Sequence, residues 1–258
     1  MKVRTGKIFF QALILIIPVM IIFGCGSSSD MDFKSAEEVY NKGVAAFEDE
    51  DYLDAKKFFE VIKLQYPASQ YADDAQFYLA EINFARGEYI LGAFNYSRLR
   101  SLYPGSEYVK ESIYKAALCY YELSPTFDRD QEYTRKGIEA FNIFQRLYPN
   151  DSLFSEAEEK IDALRDKLAH RDYYTAELYR TLEFPHSSLI YYDSVIDNYP
   201  DTKYYEQAWI GKIEVLIIFR RLDEASGLID LFRKNFPESQ YLTDLKKLEE
   251  QITTIKKN

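Results

Sequence analysis

Tyr199-Pro200-Asp201-Thr202-Lys203-Tyr204 is the stretch that decides how this chain folds. The same grammar returns as Tyr66-Pro67-Ala68-Ser69-Gln70-Tyr71, Tyr103-Pro104-Gly105-Ser106-Glu107-Tyr108 and Phe236-Pro237-Glu238-Ser239-Gln240-Tyr241, with Tyr148-Pro149-Asn150-Asp151-Ser152 as a blurred copy. The first aromatic closes the apolar stripe of one helix. Proline cannot continue that helix, because it lacks the N–H and clashes with the preceding turn. Ser, Thr or Asp then offers an oxygen to the free N–H groups that open the next helix. The prolines at 67, 104, 149, 200 and 237 are 37, 45, 51 and 37 residues apart. A period in the thirties with insertions predicts a solenoid of helical hairpins.

Counting back from each proline aligns the repeats. Twelve residues back stand Ala55, Gly92, Gly137, Ser188 and Ala225, all small; eight back stand Phe59, Tyr96, Phe141, Tyr192 and Ile229, all large. Twenty-four back stand Gly43, Ala80 and, in the fourth repeat, Ala176. Small residues let two helices cross closely and large ones fill the gap beside them. The pattern resembles the tetratricopeptide repeat, and Trp209 falls where that repeat prefers tryptophan. The expected fold is all-α: a right-handed solenoid of five tetratricopeptide-like hairpins (about 35–67, 71–104, 108–149, 153–200 and 204–237) and a C-terminal capping helix (239–256). Ser35-Ala36-Glu37-Glu38 reads as a capping box opening the first helix, with Ala36, Tyr40, Gly43 and Phe47 on its buried stripe. Ser239 opens the last helix, with Leu242, Leu245, Leu248, Ile252 and Ile255 inward.

Two insertions break the period. The third repeat gains an exposed loop around Ser124-Pro125-Thr126-Phe127-Asp128-Arg129-Asp130, closed by Asp130 as N-cap. The fourth gains fourteen residues between Asp151 and Lys167. Fourteen is close to four helical turns, so one helix can absorb them without rotating its buried face. A single helix is therefore predicted from about Phe154 to about Thr181, with Ala157, Ile161, Leu164 and Leu168 inward. Glu158, Arg165, Asp166, Arg171 and Asp172 form its mixed-sign opposite face.

The N-terminal residues are a different kind of segment. Lys2, Arg4 and Lys7 precede an apolar run from Ile8 to Phe23, interrupted only by Gln11 and Pro18, and Ile22-Phe23-Gly24-Cys25 follows. This reads as a signal peptide over residues 1–24. Cys25 after the cut resembles the lipobox of bacterial lipoproteins, whose thiol is acylated. A flexible leader over residues 25–34 would reach at most about 35 Å. Removing the three cations lowers Lys plus Arg from 32 to 29 against 42 Asp plus Glu, a net charge of −13. Such acidity argues against nucleic acid and against a polybasic grip on lipid. With Cys25 acylated, Cys119 stands alone in a helical run and reads as a small buried hydrophobe.

The search for chemistry returns little. His170 and His186 are the only histidines, and neither has metal-ligand spacing; no nucleophile elbow or phosphate-binding loop occurs. The expectation is no enzyme, no metal and no cofactor. Tyr40, Phe77, Tyr114 and Tyr173 occupy the equivalent place in four repeats. They could line a peptide-binding groove, but each shares a stripe with a small residue three positions on, which favours the core.

Leu164-Arg165-Asp166-Lys167-Leu168-Ala169, Tyr173-Tyr174-Thr175-Ala176-Glu177-Leu178-Tyr179, Asn198-Tyr199-Pro200-Asp201-Thr202 and the Asp128-Arg129-Asp130-Gln131 insertion together resemble the BamD family, lipoproteins of the outer-membrane β-barrel assembly machinery. The resemblance spans essentially the whole mature chain. It implies a lipid-anchored scaffold on the periplasmic face of the outer membrane, docked on the barrel-forming subunit (BamA-like), with other assembly lipoproteins and unfolded outer-membrane protein segments as further partners. Arg165 and Arg171 on the long helix are the candidate docking residues. Gly26 after the lipidated cysteine fits outer-membrane sorting. Phe184-Pro185-His186 departs from the family, whose members often carry a glycine turn there, and puts the fourth hairpin's geometry in question. The alternative is a tetratricopeptide envelope lipoprotein adapting a cell-division or Tol-type complex, a group that generally lacks the long fourth-repeat helix.

Overall fold

The computed structural model describes residues 35–257, and the signal-peptide, Cys25 and leader expectations lie outside the described residues. The described residues form helices joined by short turns: α1 (Ala36–Glu48), α2 (Tyr52–Gln65), α3 (Ala72–Ala85), α4 (Tyr89–Leu102), α5 (Val109–Leu123), α6 (Glu132–Leu147), α7 (Phe154–Thr181), α8 (Pro185–Asn198), α9 (Tyr205–Ile218), α10 (Leu222–Asn235) and α11 (Leu242–Lys257). Each helix packs on the next in sequence, and first helices of successive hairpins touch as well, α5 with α7, α7 with α9 and α9 with α11. The substantial contacts are all between near neighbours. This is the one-dimensional stacking of a helical solenoid.

The repeat alignment survives in packing. Ala55, Ser188 and Ala225, twelve before a proline, are fully buried, as are Phe59, Tyr96, Phe141 and Tyr192, eight before. The core falls into four clusters strung along the stack. The long helix bridges two of them. Its first half gives Ala157, Ile161 and Leu164 to the cluster under α5 and α6, and Ala176 near its other end joins the cluster under α8 to α11. In α1 the predicted stripe missed Val39, which is fully buried, while Ala36 is only half-buried.

The motif works differently from the expected cap. In all five copies the Ser, Thr or Asp N–H bonds back to the carbonyl of the aromatic before proline. Its own carbonyl then accepts from the N–H three residues on, as in Thr202 to Tyr199 and Tyr205 to Thr202 (both 3.2 Å). The N-cap position falls later, on Tyr71, Tyr108, Leu153 or Tyr204. Side-chain oxygens of Ser106, Asp151 and Ser239 accept from the N–H two residues on, which closes the turn rather than the helix. Ser35 does cap α1, accepting from the Glu38 N–H at 3.2 Å.

The third-repeat insertion is also not simply exposed. Gln131, not Asp130, holds the N-cap position of α6 and is fully buried, its amide donating to the Thr126 and Arg129 carbonyls. Asp130 still accepts the Glu132 N–H at 2.8 Å. At Phe184-Pro185-His186 the hairpin turn is the common one. Glu183 takes φ 60° where Gly87 takes 71°, and the same back-bonds close both turns.

Candidate functional site

The four equivalent aromatics lie in the seams between hairpins. Tyr40 stacks on Tyr71 with ring centroids 4.6 Å apart, Phe77 on Tyr108 at 4.3 Å, and Tyr173 leans on Tyr204 at 5.6 Å. Each partner is the tyrosine that ends the next copy of the motif. In the third repeat Leu153 stands in that place, and Tyr114 instead meets Phe141 and Phe144 edge-on. Phe77 and Tyr114 are buried, and Tyr40 and Tyr173 half-buried. Their faces are used on one another, so the closing tyrosine of the motif is a seam staple.

Sequence reasoning missed a set of polar links. Glu81, Glu177 and Glu214 each lie 23 residues before a motif proline. The buried Tyr96 hydroxyl donates to Glu81 at 2.5 Å, and the buried Tyr192 hydroxyl donates to Glu177. Lys115 of the next hairpin closes on Glu81 at 2.6 Å, and Arg180 joins Glu177 to Glu214, the latter at 2.9 Å. Burial first, and then the adjacent glutamate, pushes both tyrosine hydroxyls far up in pKa. Burial also raises Glu214, against the pull of Arg180. The available signal was tyrosine, rather than phenylalanine, in the eight-back place of those two repeats.

The polar face predicted for the long helix is partly engaged by α8 and by the motif that ends its own hairpin. Arg165 donates from Nε and Nη2 to both oxygens of Asp201, and from Nη2 to the Asn198 carbonyl at 2.8 Å. Asp166 lies 3.5 Å from Lys203, and Asp172 accepts the Ser194 hydroxyl at 2.7 Å. Glu158 and Arg171 remain exposed. The structure therefore does not bring Arg165 and Arg171 together as one free surface.

What it does bring together is a cleft of about 730 Å³ between the insertion loop, α7 and the fourth motif, lined by Phe127, Asp128, Lys167, His170, Tyr174 and Lys203, among others. Phe127 packs on His170 at 3.8 Å and on Tyr174 at 5.3 Å, and the other face of His170 lies parallel to Tyr204 at 5.0 Å. Lys167 pins the loop by donating to the Ser124 hydroxyl at 2.7 Å. Burial, and then Lys203, lowers the His170 pKa, so the imidazole is neutral near pH 7. With His170 stacked against Phe127 and Tyr204, the cleft leaves Tyr174 and the Lys203 ammonium exposed.

Residues 32–225 match the family described as YfiO: Outer membrane lipoprotein. The chain is 24% identical over 229 residues to the outer membrane protein assembly factor BamD of Rickettsia prowazekii, covering 88% of this chain and 91% of that one. Proteins of the same name are similar in Caulobacter vibrioides (22% identical, 83% and 70% covered) and Vibrio cholerae (24%, 75% and 85%). With three quarters of its length matched, the chain belongs to the YfiO family of outer membrane lipoproteins.

Proposed function

We propose that this chain is a lipid-anchored scaffold on the periplasmic side of the outer membrane, a BamD-type subunit of the machinery that assembles outer-membrane β-barrel proteins. The observation that carries this reading is the family match across the stacked hairpins, together with relatives named as outer membrane protein assembly factors. The Gly24-Cys25-Gly26 sequence supports acylation at Cys25. The partner is the barrel-forming subunit, beside other assembly lipoproteins and unfolded client segments. Its docking surface is the cleft beside α7, extended by the exposed Arg171, since that is where the two departures from the bare repeat meet.

An affinity-tagged chain purified from detergent-solubilised envelope tests this. The barrel-forming subunit is expected to co-purify, and Phe127→Ala with Arg171→Glu and Lys203→Glu is expected to reduce its yield while helicity is retained. Full co-purification by that folded variant moves the docking site elsewhere. A wild-type chain that brings down no barrel-forming subunit overturns the scaffold reading.

A further inference from the structure

Among the described residues, the outer face of α4 combines large exposed apolar side chains with the absence of any carboxylate on its helix. Ile90, Leu91 and Phe94 are 58%, 49% and 55% exposed over the first half of the helix, and Leu102 is 48% exposed at its end, with exposed Ser97, Arg98 and Ser101 between them. Arg98 stands on this face, whereas Arg100 is turned towards α5 and α6. The Arg98 guanidinium lies 5.7 Å from the Phe94 ring centre. The helix contains no carboxylate, in a chain with 42 Asp plus Glu. The corresponding outer faces of α2 and α6 carry Glu60 and Glu139. Unpartnered apolar strips of this size mark contact surfaces.

Two observations choose the occupant. A strip of leucine, isoleucine and phenylalanine flanked by arginine is the composition that enters a lipid interface, where the cations meet phosphates and the apolar residues pass below them. The other is the tether: ten residues separate Cys25 from Ser35, so the first hairpins cannot leave the membrane by more than about 35 Å. Successive helices of a hairpin stack are antiparallel, so the C-terminal end of α4, with Arg98, Arg100 and Leu102, lies at the end of the stack where Ser35 enters. No described helix is long and apolar enough to cross a membrane, and at 14 residues α4 measures about 21 Å, so it would lie flat.

We propose that the α4 face rests on the bilayer that holds the lipid anchor, with Ile90, Leu91, Phe94 and Leu102 in the interface and Arg98 on anionic phospholipid. This rests on the lipoprotein reading of Cys25. It gives the scaffold a fixed orientation: the acidic remainder of the chain is repelled from the same anionic surface that draws α4 in.

The test uses the full lipidated chain in vesicles of phosphatidylethanolamine and phosphatidylglycerol, spin-labelled singly at Ser97→Cys or Ser101→Cys on this face, or at Thr243→Cys on α11 as control. The expected result is an oxygen-to-nickel-chelate accessibility ratio severalfold higher at 97 and 101 than at 243. That excess should disappear in a folded Leu91→Ser, Phe94→Ser variant that still floats with the vesicles. Equal, water-like ratios at all three positions on floating vesicles overturn the proposal while leaving the anchor intact. Shielding that appears without lipid and grows with protein concentration assigns the face to a second copy, and shielding only on adding another protein assigns it to that partner; both overturn it. A chain that does not float has no anchor, and both readings fall together.

Discussion

Arg165 of α7 holds both carboxylate oxygens of Asp201, with Nε and Nη2 each 2.5 Å away, across 36 residues of sequence. The pair ties the middle of the long helix to the motif that ends its own hairpin. The Arg165 hydrogen bond keeps the Asp201 carboxyl below the ordinary carboxylate range. A depressed acid adds stability that is present above its unfolded value of about 3.9 and lost as pH falls through the lower folded value. Both side chains are partly solvated, so the pair contributes about 1 kcal/mol at most. Asp201→Asn should therefore lower the melting temperature slightly at pH 7, and its difference from wild type should shrink on acidification below pH ~4. A difference that is constant with pH would mean the pair is not the cause.

Two glycines separate packing from propensity. A Cβ on Gly211 would come 2.4 Å from the Tyr192 ring, which is fully buried and held by Glu177, so the ring cannot retreat. Gly211→Ala should cost about 1–3 kcal/mol by overpacking. Gly227, exposed within α10, meets nothing within 4 Å, and Gly227→Ala should stabilise by about 1 kcal/mol through helix propensity. Urea denaturation of the two variants should move the midpoint in opposite directions.

Three hairpin turns place a residue with a side chain in the left-handed region: Glu50, Glu183 and Arg220, all at φ 60°. Gly87 does the same job in the second hairpin without strain. The left-handed conformation costs a residue with a Cβ roughly 1–2 kcal/mol, of which glycine's extra chain entropy returns about half. Glu183→Gly should raise stability by about 0.5–1 kcal/mol. A melting temperature at or below wild type would show that the turn relaxes instead of bearing strain.

Cys119 is fully buried, and burial pushes its thiol up to about 12. Iodoacetamide at pH 8 should leave it unmodified in the native protein and label it only in denaturant, because the thiolate is the reacting species. Rapid native labelling would show that the seam between α3, α4 and α5 opens far more readily than its packing implies.

The sequence alone determined the architecture, because the determinants are local and repeated. Each motif proline stops a helix whatever surrounds it. The small and large places twelve and eight residues back are fixed by helical period, and Ala55, Phe59, Tyr96 and Tyr192 are buried as that period requires. The long helix was legible for the same reason, since fourteen residues preserve its face, and it runs from Phe154 to Thr181. What the tertiary structure decided is how side chains distant in sequence use their polar ends. Nothing local tells Arg165 that Asp201 will lie beside it, or Glu81 that Tyr96 and Lys115 will converge on it. Nor could the period show Phe127 that the loop folds back onto His170. Those contacts depend on the angle at which one hairpin meets the next. Packing over the whole seam sets that angle, so it decides which charges are used inside the fold and which, like Arg171 or the arginines of α4, stay exposed.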